Sequence, residues 1–333
     1  MPDTAPLSLP GSSRRALLLG HLSTVGDIEV LDWAKARLAR LGLPYDVAAY
    51  AEMMRGADPT WVDARRVDPS LYSHLIVVCG PLAHSQFEQE ADIFARFAHC
   101  TWIGLNLTMV APLGQFQPFD VLLERDSDRL ARPDLSFTQA LGPVPVLGLC
   151  LAGKQREYGP RRMLDEAHQA LRALAASRPA AVVELDTKWP APRNQNGLRS
   201  PEEFESLLAR MDVLLTTRLH GVALALKNGV PVVALDAIRG GGKVLPQARA
   251  LGWPEVFAAD AVSEADLVAA LDRCLAPGAR DRAFACAQSA RETLASLEAE
   301  FAQALTAPPG PRAMPLAPRW RSFVDRLRRP RRS

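Results

Sequence analysis

The sequence predicts an α/β fold, and two observations support that prediction. Short apolar runs recur along the chain, and longer amphipathic stretches separate them. A parallel sheet flanked by helices produces this alternation, because its buried strands are apolar on both faces whereas each helix is apolar on one. The chain has 333 residues, of which 48% are hydrophobic, so it is long enough for two ordinary domains with their own cores.

The sequence pattern of the first part of the chain predicts five strands and two helices. The first helix is predicted to begin near Asp27, because acidic residues favour the first turn of a helix and because apolar residues then recur on one face. Those apolar residues are Ile28, Leu31, Ala34 and Leu38. The second helix is predicted at 88–99, and the strands are predicted at 16–19, 45–49, 75–79, 101–105 and 121–123.

Residues 126–145 separate this part from the next, because they are rich in aspartate, proline and glycine and show little periodicity. The strand and helix pattern then restarts. Ser200 is suited to cap one helix at its amino end, and Gly229 followed by Pro231 is suited to end another. Strands are predicted at 146–151, 181–185, 213–216 and 232–235, and helices at 161–178, 201–211, 219–228, 267–275 and 280–305.

Two successive α/β units without an internal repeat predict two Rossmann-like domains that face each other across a cleft. The domains are predicted at 14–143 and 144–306, after a disordered N-terminus at 1–13 and before a basic tail, rich in proline and arginine, at 307–333. In such a pair, ligands bind at the carboxyl ends of the strands and the amino ends of the following helices. Candidate site residues are therefore expected in the strand-to-helix loops.

The charge balance excludes a general nucleic-acid binder, since 39 basic and 37 acidic residues leave a net charge of only +2. The first residues lack the pattern of a signal peptide and no apolar run could span a membrane, so a cytoplasmic protein is predicted. No spacing of ligand residues indicates a metal site. The five cysteines are widely spaced without a C-x-x-C pair, which favours buried structural thiols; they are Cys79, Cys100, Cys150, Cys274 and Cys286.

The carboxyl tail is the most basic part of the sequence. Residues 312–333 hold eight arginines and one acidic residue, Asp325. The large apolar residues of this segment recur at the spacing of one helix face: Trp320, Phe323, Val324 and Leu327. This pattern suits peripheral contact with the inner face of an anionic membrane, and a disordered, solubilising tail is an equal alternative.

The first candidate site is segment 216–221, Thr-Thr-Arg-Leu-His-Gly, where a predicted strand becomes a helix. A guanidinium from Arg218 and an imidazole from His220 at a helix amino end, beside two hydroxyls, would bind a phosphate or a carboxylate. The alternative is a threonine cap with a surface arginine and a core histidine. The spacing alone does not separate the two interpretations.

The second candidate site follows the next strand, where Asp236 precedes the segment 239–243, Arg-Gly-Gly-Gly-Lys. Three glycines allow backbone amides to approach a ligand closely, and Lys243 adds a positive charge. This is not a Walker loop, because Val244 follows the lysine. A flexible surface loop is the alternative, but adjacent parallel strands end at one edge of a sheet, which favours one anionic ligand shared by both loops.

The first domain offers weaker candidates. The loop 21–27 after the first strand lacks G-x-G-x-x-G, so dinucleotide binding is not supported. Gly80 and His84 follow the third strand, although a solvated loop histidine is the simpler interpretation of His84. Charges gather at 124–127 and 132–134, where the floor of the cleft is expected. These segments are candidates for binding, and charged residues are also the usual content of a solvated surface.

Segment 211–236 resembles the polysaccharide pyruvyl transferase family. The resemblance consists of the R-L-H triplet at 218–220, an alanine-rich helix and the G-x-P pattern at 229–231. Gly26-Asp27 is similar to the family's amino-terminal G-D, and 124–127 and 133–137 are similar to its R-D-x-x-S and P-D-x-x-F segments. The chain departs from the family in lacking an asparagine before G-D and in having Cys-Gly-Pro-Leu at 79–82 in place of a glycine-rich loop. These departures lie in the first domain, on the side of the expected cleft where a transferase of this family would bind the molecule that accepts the transferred group.

The resemblance implies an architecture similar to type-B glycosyltransferases and a reaction that needs no cofactor. Phosphoenolpyruvate would be the co-substrate, and its pyruvyl group would become a ketal on a sugar diol. The implied acceptor is a cell-envelope glycan or glycoconjugate, including a lipid-linked sugar.

The resemblance also implies roles for individual residues. Arg218 would pair with one anionic group of phosphoenolpyruvate while Lys243 and the amides of 240–242 hold the other. His220 would act as the acid. Asp27 or Asp134 would accept the hydroxyl protons, with Asp126 as a third candidate, and Arg125 would supply a second anion contact. The implied substrate-binding set also includes Gly26, Thr217, Leu219, Gly241 and Gly242.

Two alternatives stay open at the level of sequence. A type-B glycosyltransferase that uses a nucleotide sugar would share the architecture, although no obvious carboxylate for a ribose follows the R-L-H helix. A non-catalytic relative that binds a glycan is the other alternative, because a fold does not fix a function.

Overall fold

The computed structural model describes residues 14–49, 57–189 and 191–308, and the chain divides between Gly142 and Pro143 into two compact units. Each unit is built on a parallel sheet with helices, so the predicted α/β class is confirmed. The predictions for the N-terminus at 1–13 and for the arginine-rich segment at 312–333 lie outside the described residues.

The first unit contains a five-stranded parallel sheet with the strand order β2-β1-β3-β5-β7. Its strands, in chain order, are β1 (Ala16–Gly20), β2 (Tyr45–Ala49), β3 (His74–Val78), β5 (Thr101–Leu105) and β7 (Val121–Leu123), and its helices are α1 (Val25–Arg40), α2 (His84–Gln89) and α3 (Ala91–Arg96). Leu18 of β1 pairs with Val47 of β2 on one side and with Ile76 of β3 on the other. β1 is wholly buried and β3 nearly so, which explains why both appear in the sequence as apolar runs, whereas the edge strand β7 keeps Val121 and Leu123 exposed.

Two details of the first unit differ from the sequence prediction. The helix predicted at 88–99 is wrong: α2 and α3 are separate short helices that meet at Glu90, where φ −108° and ψ 18° are not helical. The Glu90 carboxylate accepts a hydrogen bond from Arg65 at 2.5 Å, a long-range contact that local periodicity does not reveal. A second sheet of two very short strands, β4 (Pro81–Leu82) and β6 (Thr108–Met109), was also not predicted.

The second unit contains another five-stranded parallel sheet, with the strand order β12-β11-β10-β8-β9. Its strands are β8 (Val146–Cys150), β9 (Ala181–Glu184), β10 (Val213–Thr216), β11 (Val232–Asp236) and β12 (Val256–Ala258). Its helices are α4 (Leu164–Ala176), α5 (Pro201–Leu208), α6 (Leu219–Lys227), α7 (Val244–Leu251), α8 (Glu264–Leu275), α9 (Ala279–Leu294) and α10 (Leu297–Thr306). Leu214 pairs with Gly148 and with Val232, so β10 lies at the centre of this sheet.

The predicted caps of the second unit are confirmed, and two predicted helices are corrected. The hydroxyl of Ser200 accepts a hydrogen bond from the amide of Glu203 and caps α5, while Gly229 ends α6 in the left-handed region with φ 68°. The helix predicted at 280–305 is two helices, because a turn at 295–296 separates α9 from α10. The helix predicted from 161 begins at Leu164, after a 3₁₀ turn that contains Pro160.

The cysteines are free thiols, and four of the five are buried, as predicted; Cys286 is half-buried. Burial raises the pKa of Cys79 and of Cys274 to about 12, so these thiols stay protonated at neutral pH and pack as small apolar side chains. None of the helices in the described residues combines the length and apolarity needed to span a bilayer.

Candidate anion-binding site

One pocket of about 370 Å³ lies at the carboxyl edge of the second unit's sheet. The loops that follow four neighbouring strands, β9, β8, β10 and β11, all contribute to it, because parallel strands end at the same edge. The lining residues are Ala152, Gly153, Lys154, Gln155, Glu157, Thr187, Lys188, Arg218, Leu219, His220 and Lys243.

The pocket concentrates positive charge. The whole sequence has only five lysines, and three of them, Lys154, Lys188 and Lys243, line this pocket together with Arg218. All three lysines are exposed to solvent, and Glu157 is the acidic residue of the lining. The expected ligand is therefore an anion.

Arg218 is held rigidly at the start of α6. Its Nε donates to the carbonyl of Leu151 at 2.7 Å, its Nη1 donates to Oγ1 of Thr187 at 3.0 Å and its Nη2 donates to Oδ1 of Asp186 at 3.1 Å. The side chain is 18% exposed. A guanidinium has five N–H donors, so the bonds found among the described residues leave two donors for a ligand in the pocket.

Asp186 is a site residue that the sequence analysis did not identify. It is 2% exposed, and besides pairing with Arg218 it accepts hydrogen bonds from the amides of Lys188 and Gln195. Asn194 donates to the carbonyls of Asp186 and Lys188 and so fixes the same loop. Asp186 lies two residues after the end of β9, so the strand-end rule that identified Arg218 also applies to it.

The two threonines before Arg218 hydrogen-bond to the backbone at the end of β8, and they are not among the residues that line the pocket. Oγ1 of Thr216 donates to the carbonyl of Cys150 at 2.6 Å and accepts from the amide of Arg218 at 3.0 Å. Oγ1 of Thr217 accepts from the amide of Ala152 at 2.8 Å. Both residues are buried, so Thr217, predicted as a substrate-binding residue, supports the pocket from beneath.

His220 and Leu219 begin α6 and line the pocket as predicted from the motif. His220 is exposed, so the alternative of a core histidine is wrong. The amino end of α6, which is the positive end of the helix dipole, adds to the attraction for an anion.

The glycine loop before Lys243 has a different role from the predicted one. The amide of Gly240 donates to Asp260 at 3.0 Å, that of Gly241 to the carbonyl of Ile238 at 2.7 Å, and that of Gly242 to Asp236 at 2.9 Å. These amides are engaged within the protein, so the expectation that they hold a ligand is wrong.

The shape of this loop nevertheless requires glycine. Gly240 and Gly241 have φ values of 74° and 86°, in the left-handed region that side chains disfavour. The buried Asp236 carboxylate also accepts the amides of Val244 and Leu245, so it caps α7. The loop thereby places Lys243, the cap residue of α7, at the pocket.

In the first unit, Asp27 serves as a helix cap. Its Oδ2 accepts the amides of Ser23 at 3.0 Å and Thr24 at 2.9 Å, while Oγ1 of Thr24 accepts the amide of Asp27. This is a capping box at the start of α1. Gly26, in the same first turn, is exposed. The contacts of Asp27 are thus those of a structural residue.

The charges predicted to bind at the domain junction form an internal network instead. Arg125 donates from Nη1 to Asp134 at 2.9 Å, from Nε to Asp126 at 3.0 Å and from Nη2 to the hydroxyl of Thr108. Asn106, a buried residue that the sequence analysis did not identify, donates to the same Oδ2 of Asp134 at 2.9 Å. The positive charge of Arg125 is therefore already balanced by two carboxylates.

This network lowers the basicity of Asp134. Burial opposes its ionisation, but hydrogen bonds from the amide of Ser136, from Arg125 and from Asn106 outweigh burial and hold the pKa of Asp134 well below its usual range. A carboxylate with such a low pKa is a weak proton acceptor. These contacts argue against the role of proton acceptor implied for Asp134.

Comparison with known proteins supports the family resemblance over one segment. Residues 172–237 match the family model described as Polysaccharide pyruvyl transferase. This segment holds Arg218, Leu219 and His220, so the resemblance drawn from that motif is confirmed there. None of the curated proteins compared with the chain matches it.

Several solved structures are similar to the chain at low sequence identity. One is the glycotransferase of kitacinnamycin, with 13% identity, coverage of 90% of this chain and 100% of that chain, and a TM-score of 0.34. Another is UDP-GlcNAc 2-epimerase from Methanocaldococcus jannaschii, with 9% identity, coverage of 86% and 99%, and a TM-score of 0.31. A third is ADP-heptose lps heptosyltransferase II from E. coli, with 13% identity, coverage of 78% and 98%, and a TM-score of 0.28.

Proposed function

We propose that this protein is a pyruvyl transferase that moves the pyruvyl group of phosphoenolpyruvate onto a sugar diol as a ketal and releases phosphate. One observation carries the proposal: the R-L-H triplet, inside the segment that matches the polysaccharide pyruvyl transferase model, lines a pocket dominated by lysine and arginine. The acceptor is a glycan or a lipid-linked sugar of the cell envelope.

The charges of the pocket complement those of phosphoenolpyruvate. This donor carries a phosphate and a carboxylate on the same carbon, so it needs cations on two sides. Arg218 keeps two N–H donors for one of these groups, and Lys243 supplies a charge for the other. A volume of about 370 Å³ is ample for this small donor.

The reaction balances without a cofactor or an external base. The enol carbon takes one proton and becomes the methyl group, which leaves a cationic centre at the neighbouring carbon. Two sugar hydroxyls add to that centre, the bond to the phosphate oxygen breaks, and each hydroxyl releases one proton. One of these protons replaces the proton given to the methyl group. The departing phosphate takes the other, because the dianionic ester leaves as the trianion, which is protonated to hydrogen phosphate at neutral pH.

His220 is the residue proposed to deliver the first proton. It lines the pocket at the start of α6, two residues after Arg218, and histidine exchanges protons near neutral pH. Asp27 is engaged as a helix cap, and Asp134 is engaged in an ion pair. Phosphate therefore replaces the carboxylates in this proposal as the final proton acceptor.

The test is phosphate release from phosphoenolpyruvate across a panel of methyl glycosides and lipid-linked sugars. Arg218→Ala is expected to abolish phosphate release while the protein stays folded, because the cation beside the donor is lost. The matched control is Arg172→Ala. It removes an exposed arginine of α4 that pairs with Glu184 and is not among the residues that line the pocket. Near-normal turnover by Arg218→Ala would remove Arg218 from the mechanism.

Thermal unfolding separates this proposal from the use of a nucleotide sugar. A ligand at 100 times its dissociation constant stabilises a protein by about 2.7 kcal/mol. Phosphoenolpyruvate is expected to raise the melting temperature, and uridine or guanosine diphosphate is not. Stabilisation by a nucleoside diphosphate alone would favour a glycosyltransferase, and the absence of phosphate release with every acceptor would favour a non-catalytic protein.

A further inference from the structure

The cationic pocket is wider than the proposed donor requires, and its charges fall into two groups. The strand order β11-β10-β8-β9 places Lys243 on one side of Arg218 and places Lys154 and Lys188 on the other. Neighbouring strands are about 4.8 Å apart, so the edge from β11 to β9 spans about 14 Å. Phosphoenolpyruvate occupies about half of that span, which leaves Lys154 and Lys188 for a second anionic group.

A second pocket adjoins the cationic one on this side. It has a volume of about 420 Å³ and shares Thr187 and Lys188 with the first. Its apolar wall includes Trp189, Leu198, Phe204 and Leu224. Any group bound here lies next to Lys188.

The polar residues of this second pocket are already engaged within the protein. Asn194 uses its amide nitrogen for the carbonyls of Asp186 and Lys188 and its oxygen for the amides of Asn196 and Leu198. The hydroxyl of Ser200 caps α5. What the pocket offers a ligand is therefore mainly apolar surface, and it suits an apolar group better than a hydroxyl-rich one.

Trp189 offers this pocket an exposed aromatic surface. The residue is 72% exposed, and its Nε1 donates to the carbonyl of Arg199 at 3.3 Å, which anchors the ring at the pocket. A large aromatic ring held by a hydrogen bond and left in water loses apolar stabilisation that a ligand can restore.

We propose that Lys154 and Lys188 bind a phosphate ester and that the apolar alcohol of this ester occupies the pocket beside Trp189. The ligand class is a phosphate esterified to a hydrocarbon alcohol, because the polar side chains named above are engaged within the protein and a nucleoside would bring several hydroxyls. The proposal rests on the proposed function in one respect: this ester is then the acceptor, a sugar joined through phosphate to an apolar group, bound next to phosphoenolpyruvate.

The test is calorimetric titration of the full chain with methyl phosphate, geranyl phosphate and uridine monophosphate. Geranyl phosphate is expected to bind at least about tenfold more tightly than methyl phosphate, because only its alcohol fills the second pocket. Uridine monophosphate is expected to bind within about twofold of methyl phosphate. If geranyl phosphate binds no more tightly than methyl phosphate, or if uridine monophosphate binds more tightly than geranyl phosphate, the proposal is wrong.

Variants test whether the esters bind at Lys154, Lys188 and Trp189. Trp189→Ala is expected to reduce the tenfold advantage to within about twofold while the affinity for methyl phosphate is retained. Lys188→Gln combined with Lys154→Gln is expected to weaken binding of all three esters. The matched controls are Phe137→Ala, which removes an exposed aromatic ring of the first unit, and Lys227→Ala, which removes an exposed lysine paired with Glu205. An advantage that survives Trp189→Ala would overturn the proposal.

Simultaneous binding separates this inference from the proposed function. Saturating geranyl phosphate is expected to leave the stoichiometry of phosphoenolpyruvate binding at one, and displacement of one ligand by the other would overturn the second subsite. If the esters bind as expected and phosphoenolpyruvate does not bind, the subsite stands and the proposed donor fails. If phosphoenolpyruvate binds and the three esters bind equally, only the subsite fails.

Discussion

The guanidinium of Arg218 depends on a carboxylate that no sequence motif indicates. Asp186 is almost fully buried, and its negative charge is balanced by Arg218 at 3.1 Å and by Lys188, whose Nζ lies 3.9 Å away. A buried charge whose partner is removed is costly, because nothing replaces the water it has lost. Asp186 is therefore a positioning residue: it acts on the ligand through Arg218.

Asp186→Asn is expected to lower the free energy of unfolding by about 1–3 kcal/mol, because a buried charge-assisted bond is replaced by a weaker neutral one. It is also expected to weaken phosphoenolpyruvate binding, because Arg218 loses its anchor. Urea unfolding and calorimetry measure the two effects. In the control, Asp272→Asn, a pair between this exposed carboxylate and the half-buried Arg178 is lost, and the expected change in stability is under about 1 kcal/mol. Loss of stability with unchanged binding would assign Asp186 a structural role alone.

Asp134 gives a prediction about pH. Its pKa in the folded protein is held below the unfolded value, which is about 3.9. The ionised carboxylate therefore stabilises the fold above that value, and the stabilisation declines as the pH falls below about 4. Asp134→Asn is expected to be less stable than the parent by about 1–3 kcal/mol at pH 7, with the difference narrowing from pH 4 downward. Urea unfolding across pH 3 to 7 measures it, and a difference that widens in acid would contradict the assignment.

At the scale of elements, the junction between β10 and α6 sets the position of the R-L-H motif. Gly221, the third residue of α6, packs so closely on β10 that a Cβ there would collide with Oγ1 of Thr216. That same oxygen bonds the carbonyl of Cys150 and the amide of Arg218. A side chain at position 221 would therefore push α6 away from the sheet and move Arg218.

Gly221→Ala is expected to lower the free energy of unfolding by about 1–3 kcal/mol through overpacking. It is also expected to weaken phosphoenolpyruvate binding. Gly26→Ala is the matched control, because the nearest atom to a Cβ there is Oγ1 of Thr24 at 3.8 Å. This control is expected to gain about 0.5 kcal/mol, since alanine loses less backbone freedom in a helix. Equal effects at the two positions would show that the contact with Thr216 does not matter.

The strands were the elements most readily predicted from sequence. The strand at 213–216 is fully buried and coincides with the predicted one, because a strand covered on both faces must be apolar throughout. The strands at 45–49, 101–105 and 121–123 also coincide with the predicted ones, although they are only partly buried. The helix predicted at 88–99 failed because Glu90 is fixed by Arg65, a residue distant in sequence. The edge strand β12 was missed because it is only three half-buried residues long.

The candidate site was predicted in part, for a related reason. Arg218, His220 and Lys243 stand in dense motifs, so local sequence is enough to find them. Lys154 and Lys188 stand alone in their loops, and only the strand order brings them to the same edge. The free amides expected at 240–242 could not be tested from sequence, because their partners, Asp260, Ile238 and Asp236, are fixed only by the folded loop.

At the scale of the whole molecule, the net charge of +2 conceals three different regions. Eight arginines and one aspartate give residues 312–333 a charge of +7, so the rest of the chain carries −5. Within that acidic remainder, three of the five lysines line one pocket. A cluster of cations in a part of the chain whose net charge is negative directs a small anion to one place.

The arginine-rich segment gives the last prediction, which concerns the membrane. Basic residues contribute about 1 kcal/mol each near an anionic lipid surface, and the apolar residues Trp320, Phe323 and Leu327 add insertion into the interface. The full chain is expected to float with vesicles that contain phosphatidylglycerol and not with neutral phosphatidylcholine vesicles. The 1–307 truncation is expected to lose at least a hundredfold in affinity.

High salt is expected to release the full chain from the vesicles, since screening weakens attraction between exposed charges. Equal flotation of the two proteins would show that the segment is a solubilising tail, and flotation that resists salt would show that apolar insertion, not arginine, holds the protein at the surface.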